Sequence, residues 1–502
     1  MLHKSNIPSV RELLAEEPNR ASRFSICQND WLLDYCRLPL TSLQNDALLA
    51  MPGKFSLSDA IQRLFGGHIV NPSEQQPALH MALRAARPDQ FPGADPDCSL
   101  LSDQNRFLAL ADELYQGSRG LTDLIHIGIG GSDLGPRLVV DALDDDSSAL
   151  QVHWLSTLDS RRCRRLLARL DPATTGVVIA SKSFSTEETL TQAMAVRDWL
   201  GDRFAQQAWA ATARADRASE FGVSPSAILP FPAWTGGRYS LWSSVGTSAA
   251  ASLGSQRFRE LLAGAAEADR QFALHAGRQP VDSGLAVGIA LVMHALRREL
   301  DLPTLGVIAY EPRLALLGDY LQQLVMESLG KGVDLDDRPL DQPTSPLVFG
   351  GRGTDLQHSI FQALHQGPDT HPLLLVGTLS DAQADPAWHK TQLAHMLAQA
   401  AAMVLGRDDE RPCRQLPGNR PVALLIGREL TARSLGFLLA SFEHAVFALS
   451  VYWKINPFDQ WGVEEGKRLA AEYQKKLAVE TPILEDFPAA GFFCKESGSG
   501  AV

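Results

Sequence analysis

From about residue 120 onward, short apolar runs alternate with longer amphipathic ones, a pattern that predicts a parallel sheet wrapped by helices. The predicted strands are "LIHIGI" (124–129), "VHWLST" (152–157), "GVVIAS" (176–181), "LGVIAY" (305–310), "LLLVGTL" (373–379) and "VALLIG" (422–427). Between and after them, "TEETLTQAMAVRDWLG", "RFRELLAGAAEADRQFALHAG", "SGLAVGIALVMHALRREL", "RLALLGDYLQQLVMESLG" and "WHKTQLAHMLAQAAAMVLG" read as helices. The strands fall into two groups, 124–181 and 305–427, separated by a mainly helical stretch, so two α/β domains are expected. The first hundred residues read as helical, the chain beyond about 480 as an arm, and the final "ESGSGAV" as a frayed end. The longest apolar run, "LGFLLASFEHAVFALSVYW" (435–453), carries Glu443 and His444 at its centre. A membrane span would be penalised by both, which makes this a buried core helix.

Composition narrows the function classes. The chain has 502 residues, 45% of them hydrophobic, enough for two or three domains and a large core. A net charge of −12 leaves no basic excess to neutralise a phosphate backbone, so no nucleic-acid partner is expected. Six cysteines (Cys27, Cys36, Cys98, Cys163, Cys413 and Cys494) form no CxxC pair and no metal spacing. They read as reduced thiols of a cytosolic protein. The N-terminus has no apolar core of signal-peptide length, so export and a membrane partner are not expected.

Candidate chemistry starts at "VVIASKSFSTEETL" (177–190), where an apolar strand ends in hydroxyls around one lysine. Ser185 and Glu188 have capping-box spacing, so a helix is expected to begin there, with Leu190, Ala193, Met194 and Leu200 as its apolar stripe and Gly201 as its stop. A helix N-terminus, the hydroxyls of Ser181, Ser183 and Thr186, and the charge of Lys182 together suit a phosphate. An ordinary polar connection is the bland alternative. The loop "GIGGSDLGPRL" (128–138) follows another strand, with Pro136 near a helix start. It misses the third glycine of a dinucleotide fingerprint and better fits a small ligand touching Gly131 and Ser132.

Four further segments carry reactive side chains. "TGGRYSLWS" places Arg238 after two glycines, where it can stabilise developing negative charge or merely pair with a surface carboxylate. "QQLVMESLGKG" places Glu327 at a helix end with Gln323 one turn earlier, opposite Leu317, Leu321 and Leu324; a pairing of Glu327 with Lys331 is the bland alternative. "GGRGTDLQHSIFQALHQG" (350–367) reads as a loop entering a helix capped by Thr354 and Gln357, with His358, Gln362 and His365 on its polar face. "NPFDQWGVEEGKRLA" carries Gln460 and Lys467, the latter spaced to pair with Glu464. This inventory has no metal-ligand spacing and no dinucleotide loop. It suits proton transfer on a phosphorylated small molecule.

"GIGGSDLGP", "SKSFSTEET", "GGRYSLWSSVG", "QLVMESLGKG", "GTDLQHSIFQALHQG" and "FDQWGVEEGK" occur in the order seen in glucose-6-phosphate isomerases, and residues 120–470 resemble that family. The resemblance implies two αβα sugar-isomerase (SIS) domains: a small one at 105–274, a large one of 1–104 plus 275–480, and an arm at 481–502. It also implies a cytoplasmic homodimer that interconverts glucose 6-phosphate and fructose 6-phosphate through a cis-enediol, without cofactor or metal. Carried over, Ser181, Lys182, Ser183 and Thr186 would hold the phosphate, and Glu327 would move the proton. Arg238 would stabilise the enediolate. His358 from the partner subunit and Lys467 would assist ring opening, while Gly131, Ser132, Gln323 and Gln460 would line the sugar. Ser183 stands where the family has threonine, Leu329 where it has asparagine, and Asp355-Leu356 where it has Asn-Gly. A non-catalytic sugar-phosphate sensor is the rival reading; it would need the 181–186 turn but not Glu327, Arg238 or Lys467.

Overall fold

The computed structural model describes residues 8–97, 99–144, 148, 150–277 and 284–478. The expected arm at 481–502 and its frayed end lie outside the described residues, as do Cys98 and Cys494. Eleven strands are described: β1 Ser25–Gln28, β2 Trp31–Arg37, β3 Asp123–Ile127, β4 Gln151–Leu155, β5 Thr175–Ala180, β6 Ala208–Thr212, β7 Ile228–Pro230, β8 Thr304–Ala309, β9 Leu347–Arg352, β10 Leu373–Ser380 and β11 Val422–Glu429. All six predicted strands are among them.

They form two sheets. The smaller runs β4-β3-β5-β6-β7 and is wholly parallel. The larger runs β1-β2-β11-β10-β8-β9, parallel except for the antiparallel β1-β2 hairpin and its seam with β11. The first hundred residues are therefore not all helical. In β2, Trp31, Leu33 and Tyr35 alternate inward between half-buried neighbours, the period-two pattern of a strand with one covered face. That strand completes the larger sheet.

Every residue of β5 is buried, as a central parallel strand with helices on both faces requires. On one face, Ile125, Val177, Ile179 and Ala210 pack with Cys163, Ala193, Val196 and Ala218 from three helices. On the other face, His126 of β3 bonds Ser248 of the helix Thr247–Leu253, which packs on β4 and on the helices Leu100–Tyr115 and Leu134–Leu143. The larger sheet is layered likewise: Ile308, Leu373, Leu375 and Leu424 face Phe361, Met396, Ala400 and Met403. The helix Ala432–Trp453 is long and apolar enough to cross a membrane, yet 94% of its apolar window lies inside the fold, as expected of a core helix. It packs along the helix Ser255–Ala273. A β-carbon added at Gly264 or Gly436 would sit 1.9 Å from the other helix's backbone, so the close crossing needs both glycines.

One compact unit ends at Pro457, and a second begins at Phe458. Within its described residues the second holds the turn Trp461–Val463 and the helix Glu464–Ala478.

Candidate active site

In the smaller sheet β4 lies on one side of β3 and β5 on the other. Strand order thus reverses between β3 and β5, and the crevice outside their carboxyl ends is where open α/β sheets bind ligands. The two loops singled out above, 128–132 and 181–186, leave those two ends. The larger sheet has a matching reversal between β8 and β10, but its own side chains fill it. Buried Glu311 accepts from Thr378 Oγ1 at 2.7 Å and pairs with Arg313 at 2.9 Å.

The turn after β5 is built as a set of donors. The Ser181 carbonyl accepts from Phe184 N–H (3.3 Å), that of Lys182 from Ala213 N–H (3.1 Å), and that of Ser183 from Arg217 Nη1 (2.9 Å). Three oxygens that would repel an anion are thus each engaged by a donor. Ser181 is buried, Lys182 and Thr186 half-buried, and Ser183 exposed. Burial pushes the Lys182 amine below its ordinary range; Glu74 pulls it back up and Arg238 pushes it further down. Both charges therefore lie near enough to be felt. The expected Ser185–Glu188 capping box is not formed. The helix spans Glu187–Leu200 with Thr186 as N-cap, and Ser185 instead donates to Ser183 Oγ at 2.9 Å. Met194 is 42% exposed and leaves the apolar stripe, where Val196 is buried instead; Gly201 ends the helix as expected.

The turn is pinned by Phe184. Its backbone is left-handed (φ +44°), a conformation costing a bulky residue about 1–2 kcal/mol. Its ring is buried in the core against Phe221, with centroids 5.7 Å apart.

The loop after β3 meets the arginine loop directly. A β-carbon on Gly131 would lie 2.0 Å from the Gly237 carbonyl oxygen and 2.6 Å from Arg238 N, so only glycine fits. Gln323 Nε2 lies over Gly130, 2.9 Å from where a β-carbon would stand. His126, buried on β3, bonds the Ser132 carbonyl at 2.6 Å and Ser248 Oγ at 2.8 Å, and burial lowers its pKa to about 4. Neutral at ordinary pH, it fixes this loop without adding charge. Pro136 is the third residue of the helix Leu134–Leu143.

Glu327 lies in the last turn of the helix Leu317–Leu329, half-buried beside the stripe of buried Leu317, Leu321 and Leu324. Its partner is Arg238 rather than Lys331: Arg238 Nη1 lies 3.2 Å from Glu327 Oε2. Buried Arg238 also donates from Nε to Ser328 Oγ and from Nη2 to the Pro457 carbonyl, each at 2.6 Å. Gly131, Ser132, Lys182, Arg238, Gln323 and Glu327 are thus brought together. Departure Leu329 is wholly buried, and Leu356 packs against the apolar layer beneath the larger sheet. Leu329 exchanges a polar group for core contact, and Leu356 adds an apolar side chain where the family has glycine.

Over 350–367 the expected loop is a strand end and the expected helix is broken in two. Gly350–Arg352 belong to β9, and the helices Gly353–Gln357 and Phe361–Gln366 flank the gap. Neither Thr354 nor Gln357 caps it; Gln357 donates to Tyr310 OH at 2.7 Å. His358 stands exposed in the gap. In the second unit, Gln460 precedes the turn Trp461–Val463, and Lys467 pairs with Glu464 at 2.7 Å, the expected helical pairing. Phe184, Tyr239, Glu74 and Ser328 carry no signal in their own local pattern; the first, second and fourth lie inside family-like strings, and Glu74 lies in none. Among the described residues no cluster of three or more His, Cys, Asp or Glu could hold a metal.

The profile of the family described as phosphoglucose isomerase matches residues 34–490. The chain belongs to the phosphoglucose isomerase family. The match begins well before residue 120 and takes in most of β2. Glucose-6-phosphate isomerases of Xanthomonas oryzae pv. oryzae and Xanthomonas campestris pv. campestris are each 41% identical over 95% of this chain and 94% of theirs. A crystal structure of a glucose-6-phosphate isomerase from Chlamydia trachomatis superposes with a TM-score of 0.84 at 27% identity, covering 98% of this chain and 96% of that one. A hypothetical protein of Thermus thermophilus gives a TM-score of 0.63 at 25% identity, covering 88% of this chain and 99% of that one.

Proposed function

We propose that this chain interconverts glucose 6-phosphate and fructose 6-phosphate, the activity of the relatives it matches along nearly its whole length, with Glu327 as the base. The observation that carries the assignment is the Arg238–Glu327 pair, 3.2 Å apart, beside the Gly131 loop at a strand-order reversal. In the open-chain aldose, Glu327 removes the C2 proton while the C1 carbonyl oxygen takes a proton from water, giving a cis-enediol; the C2 hydroxyl later returns one to water. Returning the proton to C1 as the C2 hydroxyl loses its own leaves the ketose. Atoms and electrons balance within the sugar, so no cofactor is consumed. Arg238 stabilises the oxyanion that develops as the proton leaves.

Ser181, Lys182, Ser183 and Thr186 hold the phosphate, and Gly131, Ser132, Gln323 and Gln460 line the sugar. Binding energy from the phosphate end keeps C1 and C2 in register with the base. Lys467 and His358 assist ring opening. The exposure of His358 supports its service to a second copy of the chain in a homodimer. We assign the two sheets to domains 105–274 and 1–104 plus 275–480. The free thiols Cys27, Cys36, Cys163 and Cys413 support a cytoplasmic setting.

Glu327→Gln is expected to lower kcat for fructose 6-phosphate formation by at least ~10²-fold with unchanged folding. Near-normal turnover would remove Glu327 from the role. A wild-type protein that binds the sugar phosphate without converting it would establish the sensor reading instead.

A further inference from the structure

We propose that Ser328 and Tyr239 form a positioning pair that aims Arg238 at the reacting carbons, an inference that rests on Glu327 being the base. Ser328 follows Glu327 on the same helix, but its side chain is wholly buried. Its Oγ accepts from Arg238 Nε at 2.6 Å, and Tyr239 OH lies 3.2 Å from the same oxygen. Tyr239 is held in turn by stacking on His80, with centroids 4.6 Å apart and planes 25° from parallel. The Pro457 carbonyl takes Nη2 at 2.6 Å.

A planar guanidinium fixed on its Nε and Nη2 edges has one orientation left, and in it Nη1 faces Glu327 Oε2 at 3.2 Å. The two anchoring bonds are short and buried, whereas the bond to the base is longer. Arg238 is therefore held by groups that do not react and stays in place when Glu327 takes the proton and loses its charge. That is the requirement for stabilising an oxyanion that forms at the same moment, because a donor that must reorient contributes less. Ser328 and Tyr239 touch no reacting atom; they act through Arg238. The arrangement joins two family-like strings, "GGRYSLW" and "QLVMESLGKG", through residues to which neither string by itself assigns a task.

The test is steady-state kinetics on full-length Ser328→Ala, Tyr239→Phe and the double variant, with urea midpoints measured alongside. Tyr239→Phe keeps the ring on His80 and removes only the hydroxyl. We expect Ser328→Ala to lower kcat about 10- to 100-fold with KM within about 2-fold, because an interaction used only in the transition state is lost. Tyr239→Phe should lower kcat several-fold, and the double variant should be no worse than Ser328→Ala, since both act on one arginine. Unchanged kcat in Ser328→Ala, a change confined to KM, or losses that multiply in the double variant would overturn the pairing. Should Ser328→Ala not fold, an unchanged kcat in Tyr239→Phe overturns it. The base assignment fails separately: an active Glu327→Gln sinks that reading, whereas an inactive Glu327→Gln beside a fully active Ser328→Ala sinks only the positioning pair.

Discussion

Lys182 shows how much one side chain contributes when its neighbours are arranged around it. Burial already pushes its amine below the ordinary range, with Arg238 adding to the push and Glu74 opposing it. A bound phosphate would supply the anion this amine lacks, and charge-assisted hydrogen bonds are about twice as strong as neutral ones. Lys182→Ala should raise KM for glucose 6-phosphate about 10-fold or more while kcat changes by less than about 3-fold, as steady-state kinetics would reveal. An unchanged KM would argue against the cradle. Lys182, Arg238 and Glu327 were legible in the sequence because each is a charged residue beside glycine or a strand end. Ser328 was not: its meaning comes from an arginine ninety positions away in the chain, and no local pattern encodes that meeting. Phe184 carried no signal in the sequence, and its left-handed backbone and buried ring show that it shapes the turn.

The 181–186 turn is an element-scale device: Phe184 is plugged into the core beneath it while Ser183 and Ser185 stay exposed above. Removing the ring leaves a cavity worth about 3–5 kcal/mol, and alanine keeps the β-carbon that strains a left-handed residue, so the backbone gains nothing in return. Phe184→Ala should therefore destabilise by ~3–5 kcal/mol in urea unfolding. It should also raise KM for the sugar phosphate more than it lowers kcat, since the turn loses its anchor while Glu327 and Arg238 keep theirs. A stability loss with unchanged KM would show that the turn holds its shape without the plug. Six strands were foreseen, and β6, β7 and β9 were missed for physical reasons. β6 is "AWAAT", whose alanines carry little strand preference, and β9 is "LVFGGR", with two glycines. Packing between neighbours makes these strands. β7 spans three residues, too short for any periodicity. The break at His358 was hidden because "TDLQHSIFQALHQ" keeps helical spacing straight through it.

Across the whole molecule, what the sequence could not express is how distant helices and loops share one buried polar cluster. Arg84 grips both Asp269 oxygens at 2.6 and 2.8 Å and bonds Glu443, which also accepts from Trp242 Nε1 at 2.8 Å; His444 bonds Asp269 at 2.8 Å. Glu443 and His444, read only as too polar for a membrane span, are thus tied to residues from separate stretches of chain. Burial pushes the Glu443 carboxyl up to about 7 from an ordinary 4.5, against the pull of Arg84 and Trp242. Burial lowers His80, His126 and His444 from an ordinary 6.5. The two kinds of group act with opposite sign. Below pH 6.5 the unfolded chain protonates histidines that the folded chain keeps neutral, so acidification costs stability. Between about 7 and 4.5 the folded chain holds a proton on Glu443 that the unfolded chain has released, so acidification restores some. Asp269, held below its ordinary 3.8 chiefly by Arg84 despite burial, enters only at lower pH. Glu443→Gln deletes the restoring contribution alone, worth up to about 3 kcal/mol between roughly pH 7 and 5 at roughly 1.4 kcal/mol per pH step. Whatever the variant loses at neutral pH, its urea midpoint should fall further than that of the wild type on going to about pH 5. Parallel pH profiles for the two proteins would mean that Glu443 is already ionised throughout, with Arg84 outweighing burial.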